Sequence, residues 1–225
     1  MTLRQTTRQT SRRAALAGAA ALLTLPSLGW SQRQAPVIAP LSAADKALVD
    51  SAVAYLQGLT NARGRFQQTD PRGRVSEGEF FLKRPGKFRF AYEAPNDILM
   101  ISDGNRVSIH NRRLGTFDQW PLLGNPLSIF LAKEIRLDRG IVISEVKRFA
   151  DGFSITARDG KKEAEGQVVL VFGGAPLALR EWTTIDAQGG RTRIALSGLS
   201  RPAALDNALF VARNPNVRPA RARPN

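Results

Sequence analysis

The 225-residue chain has no cysteine. That excludes a disulfide, a thiolate nucleophile and a zinc site of the cysteine type, and it removes the residue on which a lipid anchor would be built. There is one histidine, His110, beside Asn111 and Arg112 on a candidate strand, where it reads as an ordinary strand residue and not as a base. No Gly-x-Ser-x-Gly elbow, phosphate loop or dinucleotide fingerprint occurs, and no His/Asp/Glu cluster has metal-ligand spacing. Glu77 and Glu79 share a strand face and could form a carboxylate pair. At i and i+2 on an exposed face, such residues are far more often solvated charges. The reading is a protein that is not an enzyme and needs no cofactor and no metal.

Acidic residues are also scarce. Lysine and arginine number 33 against 19 acids, a formal net charge of +14. The basic residues are spread over strands, turns and tail instead of gathering on one helix, which argues against a nucleic-acid partner. An anionic membrane surface or an acidic protein suits the charge better. Long apolar runs are missing too: Ala14–Leu25 is too short to span a bilayer. Behind Arg4, Arg8, Arg12 and Arg13, and ahead of Ser27-Leu28-Gly29, that run reads as the core of a secretory signal over residues 1–31, with Ser31 a second candidate cleavage position. Ser11-Arg12-Arg13 followed by Ala-Ala-Leu is twin-arginine-like, and an ordinary Sec signal fits as well. Removing four arginines and no acid would leave a mature charge of +10. The mature protein is expected to be soluble in the periplasm.

What is present is mostly β. Hydrophobic residues make up 43% of the chain, enough for a sizeable core. Residues 32–41, with Pro36 and Pro40, read as an extended lead-in. Ser42, with Asp45 three residues on, fits the start of a helix running to Leu59. Leu48, Ala52, Tyr55, Leu56 and Leu59 share one face of it; Lys46, Asp50 and Gln57 share the other. From Gly64 on, turn signals recur every 8–14 residues or so and separate about eleven short strands, the spacing of a sandwich or barrel. Pro121–Ala132 interrupts them. It is apolar on nearly every side, and Asn125 with Pro126 opens a short helix over Pro126–Ala132. Such a helix, carrying Leu127 and Phe130, is either fully buried or covers an apolar cavity. Residues 213–225, rich in proline and arginine, read as a disordered basic tail.

The stretch from Glu77 to Asn111 organises the rest. Three turns, at Pro85-Gly86, Pro95-Asn96-Asp97 and Asp103-Gly104-Asn105, cut it into a meander of antiparallel strands. By period two, Phe88, Phe90 and Tyr92 share a face, and in the preceding run Phe80, Leu82 and Arg84 do. Arg84 therefore comes up among apolar side chains, where a guanidinium is costly unless it finds acceptors. One reading is an arginine at a strand end that reaches out to water.

The order Gly78 to Phe90 through Lys83-Arg84-Pro85, then Pro95, then Ile98-Leu-x-x-Ser-Asp-Gly104 resembles the LolA family, periplasmic carriers of outer-membrane lipoproteins. The resemblance is dense over about fifty residues and looser from Arg63 to Phe210. It implies an α+β fold: an incomplete, strongly curved antiparallel barrel over residues 42–212, with a helical lid over an apolar cavity. It implies that Arg84 closes the lid by hydrogen bonding to lid backbone carbonyls. The cavity candidates are then Leu48, Tyr55, Leu56, Phe80, Leu82, Phe88, Phe90, Tyr92, Leu127 and Phe130. The implied partners are acylated lipoproteins, an inner-membrane ABC-type release complex and an outer-membrane acceptor, with the carrier itself a monomer. A carrier of another lipid or glycolipid, or a periplasmic sensor on the same half-barrel, are the alternatives.

Overall fold

The computed structural model describes residues 40–123, 128–135, 141–160 and 166–215. The expected signal, all but the last two residues of the lead-in, Leu127 and the tail from residue 216 lie outside them.

Helix α1 spans Ala43–Gly58. Its N-cap is Ser42, whose Oγ accepts from the Asp45 backbone N–H at 3.1 Å, so one of the first unpaired amides of the helix is satisfied. The strands follow as β1 (Asn61–Thr69), β2 (Val75–Lys83), β3 (Lys87–Tyr92), β4 (Ile98–Asp103), β5 (Arg106–Asn111) and β6 (Thr116–Pro121). One helical turn, α2 (Ser128–Leu131), separates these from β7 (Ile141–Phe149), β8 (Gly152–Asp159), β9 (Gln167–Gly173), β10 (Ala178–Ile185) and β11 (Arg191–Ser200). All eleven strands form one antiparallel sheet in the order β6-β5-β4-β3-β2-β1-β11-β10-β9-β8-β7. Every pairing joins neighbours in sequence except β1–β11. No ladder joins β6 to β7 among the described residues, so the sheet is open.

It is also rolled. Phe90 on β3 and Trp182 on β10 have ring centroids 6.1 Å apart. Those strands are four positions apart in the sheet, about 19 Å if it were flat. Only strong curvature brings their inner-face side chains into contact. Phe66 meets Phe90 and Tyr92 edge-on at 4.9 Å each, and Gly78 makes room for the Phe66 ring, since a Cβ there would lie 2.8 Å from it. A second part of the interior is closed by α1, whose Val49, Ala52 and Leu56 pack on Phe153, Ile155, Leu170 and Phe172 of β8 and β9.

The start of β1 and the segment after β11 differ from the sequence reading. Strand β1 begins at Asn61, not Gly64, because Asn61–Arg63 pair with Lys83–Phe81 of β2; that pairing overrides the turn-like composition of Asn-Ala-Arg-Gly. The segment after β11 also holds a 3-10 helix, Asn207–Phe210, capped by Asp206. It lies on the outer face against β3 and β4 and buries Phe210 to 2% exposure.

Candidate functional site

The site is built where β2 ends. Alternation places Lys83 on the outer face and Arg84 on the inner one. Outside, Lys83 Nζ donates to Leu205 O at 2.9 Å and to Asn207 Oδ1 at 2.8 Å, and Arg89 donates to Leu209 O at 3.3 Å. These bonds hold the C-terminal segment against the sheet. Inside, the Arg84 guanidinium donates from one nitrogen to Leu56 O of α1 and from the other to Ala132 O, just past α2. Burial lowers the Arg84 pKa below its ordinary value, but an arginine starts so high that it stays charged. The charge is thus held half-buried on two carbonyls, one from α1 and one from the residue that follows α2.

Further bonds tie the same pieces together. The Arg84 backbone N–H donates to Thr60 O at 2.8 Å, and that of Gly86 donates to Leu131 O at 2.8 Å. Gln57 Nε2 donates to Lys133 O at 2.9 Å while its Oε1 accepts from Ile135 N at 3.0 Å. Gly86 adopts φ +69°, and a Cβ there would lie 2.9 Å from Gly104 Cα. Only glycine lets the β2–β3 turn, the β4–β5 turn and α2 approach this closely.

Beneath α2 is a cavity of about 200 Å³. Leu82, Phe88, Phe90 and Tyr92 of the sequence candidates line it, together with Leu131 of α2. Phe80 is buried behind it, stacked on Phe90 at 6.0 Å. Leu56 is buried against β8–β10, with Leu48 partly buried alongside. Tyr55 touches both halves of the core. Phe130 belongs to α2 by its backbone, and Leu127 lies outside the described residues. Glu77 and Glu79 are exposed on the outer face, where Glu77 accepts from Gln67 at 2.8 Å. His110 is half-buried, with its ring edge-on to Phe117 at 6.2 Å.

Several lining residues escaped the sequence reading: Met100, Leu122, Trp182, Ile194, and the polar Gln68, Thr184 and Thr192. Period two counted on from Phe66 would have placed Gln68 inside. Gln57 was assigned to the solvent face by helical spacing, and nothing in sequence marks its partners 76 and 78 residues away.

Such a molecule is an open antiparallel half-barrel whose apolar interior is covered by helices. Residues 57–213 match the family described as "Outer membrane lipoprotein carrier protein LolA". The chain belongs to the LolA family. It is 32% identical over 163 residues to the outer-membrane lipoprotein carrier protein of Xanthomonas campestris pv. campestris (strain B100), covering 65% of this chain and 75% of that one. It is 30% identical over 172 residues to the protein of the same name from Methylobacillus flagellatus, covering 72% and 82%. Among solved structures it is similar to a LolA superfamily protein from Nitrosomonas europaea, at 7% identity and TM-score 0.39, over 72% of this chain and 97% of that one. Among the described residues no helix is long and apolar enough to cross a membrane.

Proposed function

We propose that this protein is a periplasmic carrier that shelters the acyl chains of lipoproteins on their way from the inner to the outer membrane, and that Arg84 is the catch of its lid. The observation that carries the reading is the pair of bonds from Arg84 to Leu56 O and Ala132 O, set at the rim of an apolar cavity. Membership of the family supplies the cargo class.

The energetics fit a carrier. Each methylene exposed to water is unfavourable by about 0.8 kcal/mol, so several acyl chains amount to tens of kcal/mol. A shelter is needed, and it must also let go. With the lid bonds made, the cavity, at about 200 Å³, is smaller than the roughly 300–1,000 Å³ of sites that enclose a small ligand. Loading therefore requires α1 and α2 to part, which breaks the two Arg84 bonds and the two from Gln57. Re-forming them favours release. The lid thus stores part of the work of unloading in a few charged and neutral hydrogen bonds. An inner-membrane ABC-type complex would open it, and an outer-membrane acceptor would take the cargo as it closes.

Mass spectrometry of material co-purifying with the protein from periplasm tests the cargo. Triacylated proteins bound in stoichiometric amount are the expected result. A bound glycolipid or free lipid without lipoprotein would replace this reading with transport of another lipid.

A further inference from the structure

The cavity is not uniform along its length. Under α2 its wall is Leu82, Phe88, Leu122 and Leu131. At the other end, toward the β1–β2 and β10–β11 turns, the wall is Gln68, Thr184 and Thr192. Gln68 stands two residues beyond Phe66 on β1, so it faces inward with it. Its Oε1 accepts the Tyr92 hydroxyl proton at 2.6 Å. Burial pushes the Tyr92 phenol up to about 12, so at neutral pH it remains a donor and orients the amide. The Gln68 Nε2 then has two N–H groups, and no described residue accepts from it. The Thr184 hydroxyl is turned to the Thr192 backbone carbonyl at 3.4 Å, whereas the Thr192 side chain lines the same wall as Gln68 with no hydrogen bond to its hydroxyl among the described residues.

We infer that this end of the cavity receives the carbonyl group of an acyl ester or amide, with Gln68 Nε2 and the Thr192 hydroxyl as its donors and the hydrocarbon running toward α2. The inference rests on the carrier reading and adds an orientation to it. Chain ends lie under the lid, and the linkage that joins chain to cargo lies at the turn end. A purely apolar cavity would accept a chain in either direction. A fixed pair of donors at one end discriminates, because an unpaired carbonyl in an apolar wall is disfavoured while a paired one is not.

The test is displacement of a bound solvatochromic naphthylamine probe by tridecane, decyl acetate and N-decylacetamide. Wild type is compared with Gln68→Glu, which keeps the size and the Tyr92 acceptor but replaces the donors with anionic oxygen. Gln68→Met, which has neither donor nor acceptor, is the second variant. The ratio of carbonyl-bearing to plain chain is read in each protein, so differences in water solubility cancel. The expected result is a ratio about threefold to tenfold lower in both variants, the factor carried by one neutral hydrogen bond, with each protein's own tridecane affinity as the reference. Whichever carbonyl probe loses more identifies the linkage, ester as in a diacylglyceryl group or amide as in an N-acyl chain. Equal ratios in all three proteins would overturn the inference and leave the carrier reading standing. Failure of every chain to displace the probe from wild type would overturn both.

Discussion

Replacing Arg84 with leucine should disable the lid without unfolding the protein. The guanidinium makes two bonds, to Leu56 O and Ala132 O. A hydrogen bond with a charged partner contributes about 1.5–3 kcal/mol net. Arg84 is only partly buried, so the low end applies, and the two together bias the lid toward closure by about 3 kcal/mol, roughly a hundredfold. The sheet loses little, since the Arg84 backbone bond to Thr60 O survives and leucine suits the face of Phe80 and Leu82. The expected protein is folded, with a near-normal melting temperature and faster hydrogen exchange at residues 131–135 and in the last turn of α1. On the mechanism proposed above, in which reclosing drives release, it should load cargo and accumulate with it. Arg84→Lys should fall between, since one ammonium cannot reproduce a planar fork. Measured transfer of a lipoprotein to outer-membrane acceptor is the decisive assay. A leucine variant that transfers at the wild-type rate, with unchanged exchange in those segments, would refute the argument.

Gln57→Ala removes the bonds to Lys133 O and Ile135 N; two neutral bonds at about 1 kcal/mol each should speed exchange at residues 133–135 about tenfold or more while leaving the sheet unaffected. Gly86→Ala forces an L-residue into φ +69° and a Cβ to 2.9 Å from Gly104 Cα, so thermal denaturation should show a loss of about 2 kcal/mol or more. Tyr92 gives a pH signature. Its phenol is raised from 10.0 to about 12, so the stability it contributes is whole below about pH 10 and disappears as pH climbs toward 12, on the order of 2 kcal/mol. Urea denaturation should show that alkaline slope in wild type and a flatter one in Tyr92→Phe; parallel slopes would count against burial as its cause.

The strands were legible because each is short and bounded by glycine, proline or acidic turns, and several alternate in burial. Val168, Leu170 and Phe172 of β9 show it most plainly. The awkward parity of Arg84 was legible too, as a charge on an apolar face. What paired with it was not. Leu56 O and Ala132 O are backbone atoms, identical in every residue, and only the folded chain brings them within reach. Gln57 escaped for a related reason: helical spacing sorts residues by polarity, and a polar residue at the edge of a buried face serves as glue as readily as it faces water. The 3-10 helix was hidden because four residues after an aspartate carry too little periodicity to announce themselves. The polar end of the cavity was hidden because Thr184 and Thr192 lie more than a hundred residues along the chain from Gln68, and only the β1–β11 and β10–β11 pairings bring them to one wall.

The β1–β11 ladder has a consequence for how the chain reaches this state. Nine of the ten described strand pairings are hairpins between sequence neighbours; the tenth joins Phe66 to Leu196. Closing that loop of about 130 residues is entropically dearer than closing a hairpin of about 15 by roughly 2 kcal/mol. Two meanders, residues 61–121 and 141–200, can each zip up locally before they meet. Their meeting is the slow, non-local event, and it alone creates the inner surface on which Phe90 and Trp182 touch. Until that seam forms there is no hollow to fill, so the capacity to carry depends on this one non-local ladder.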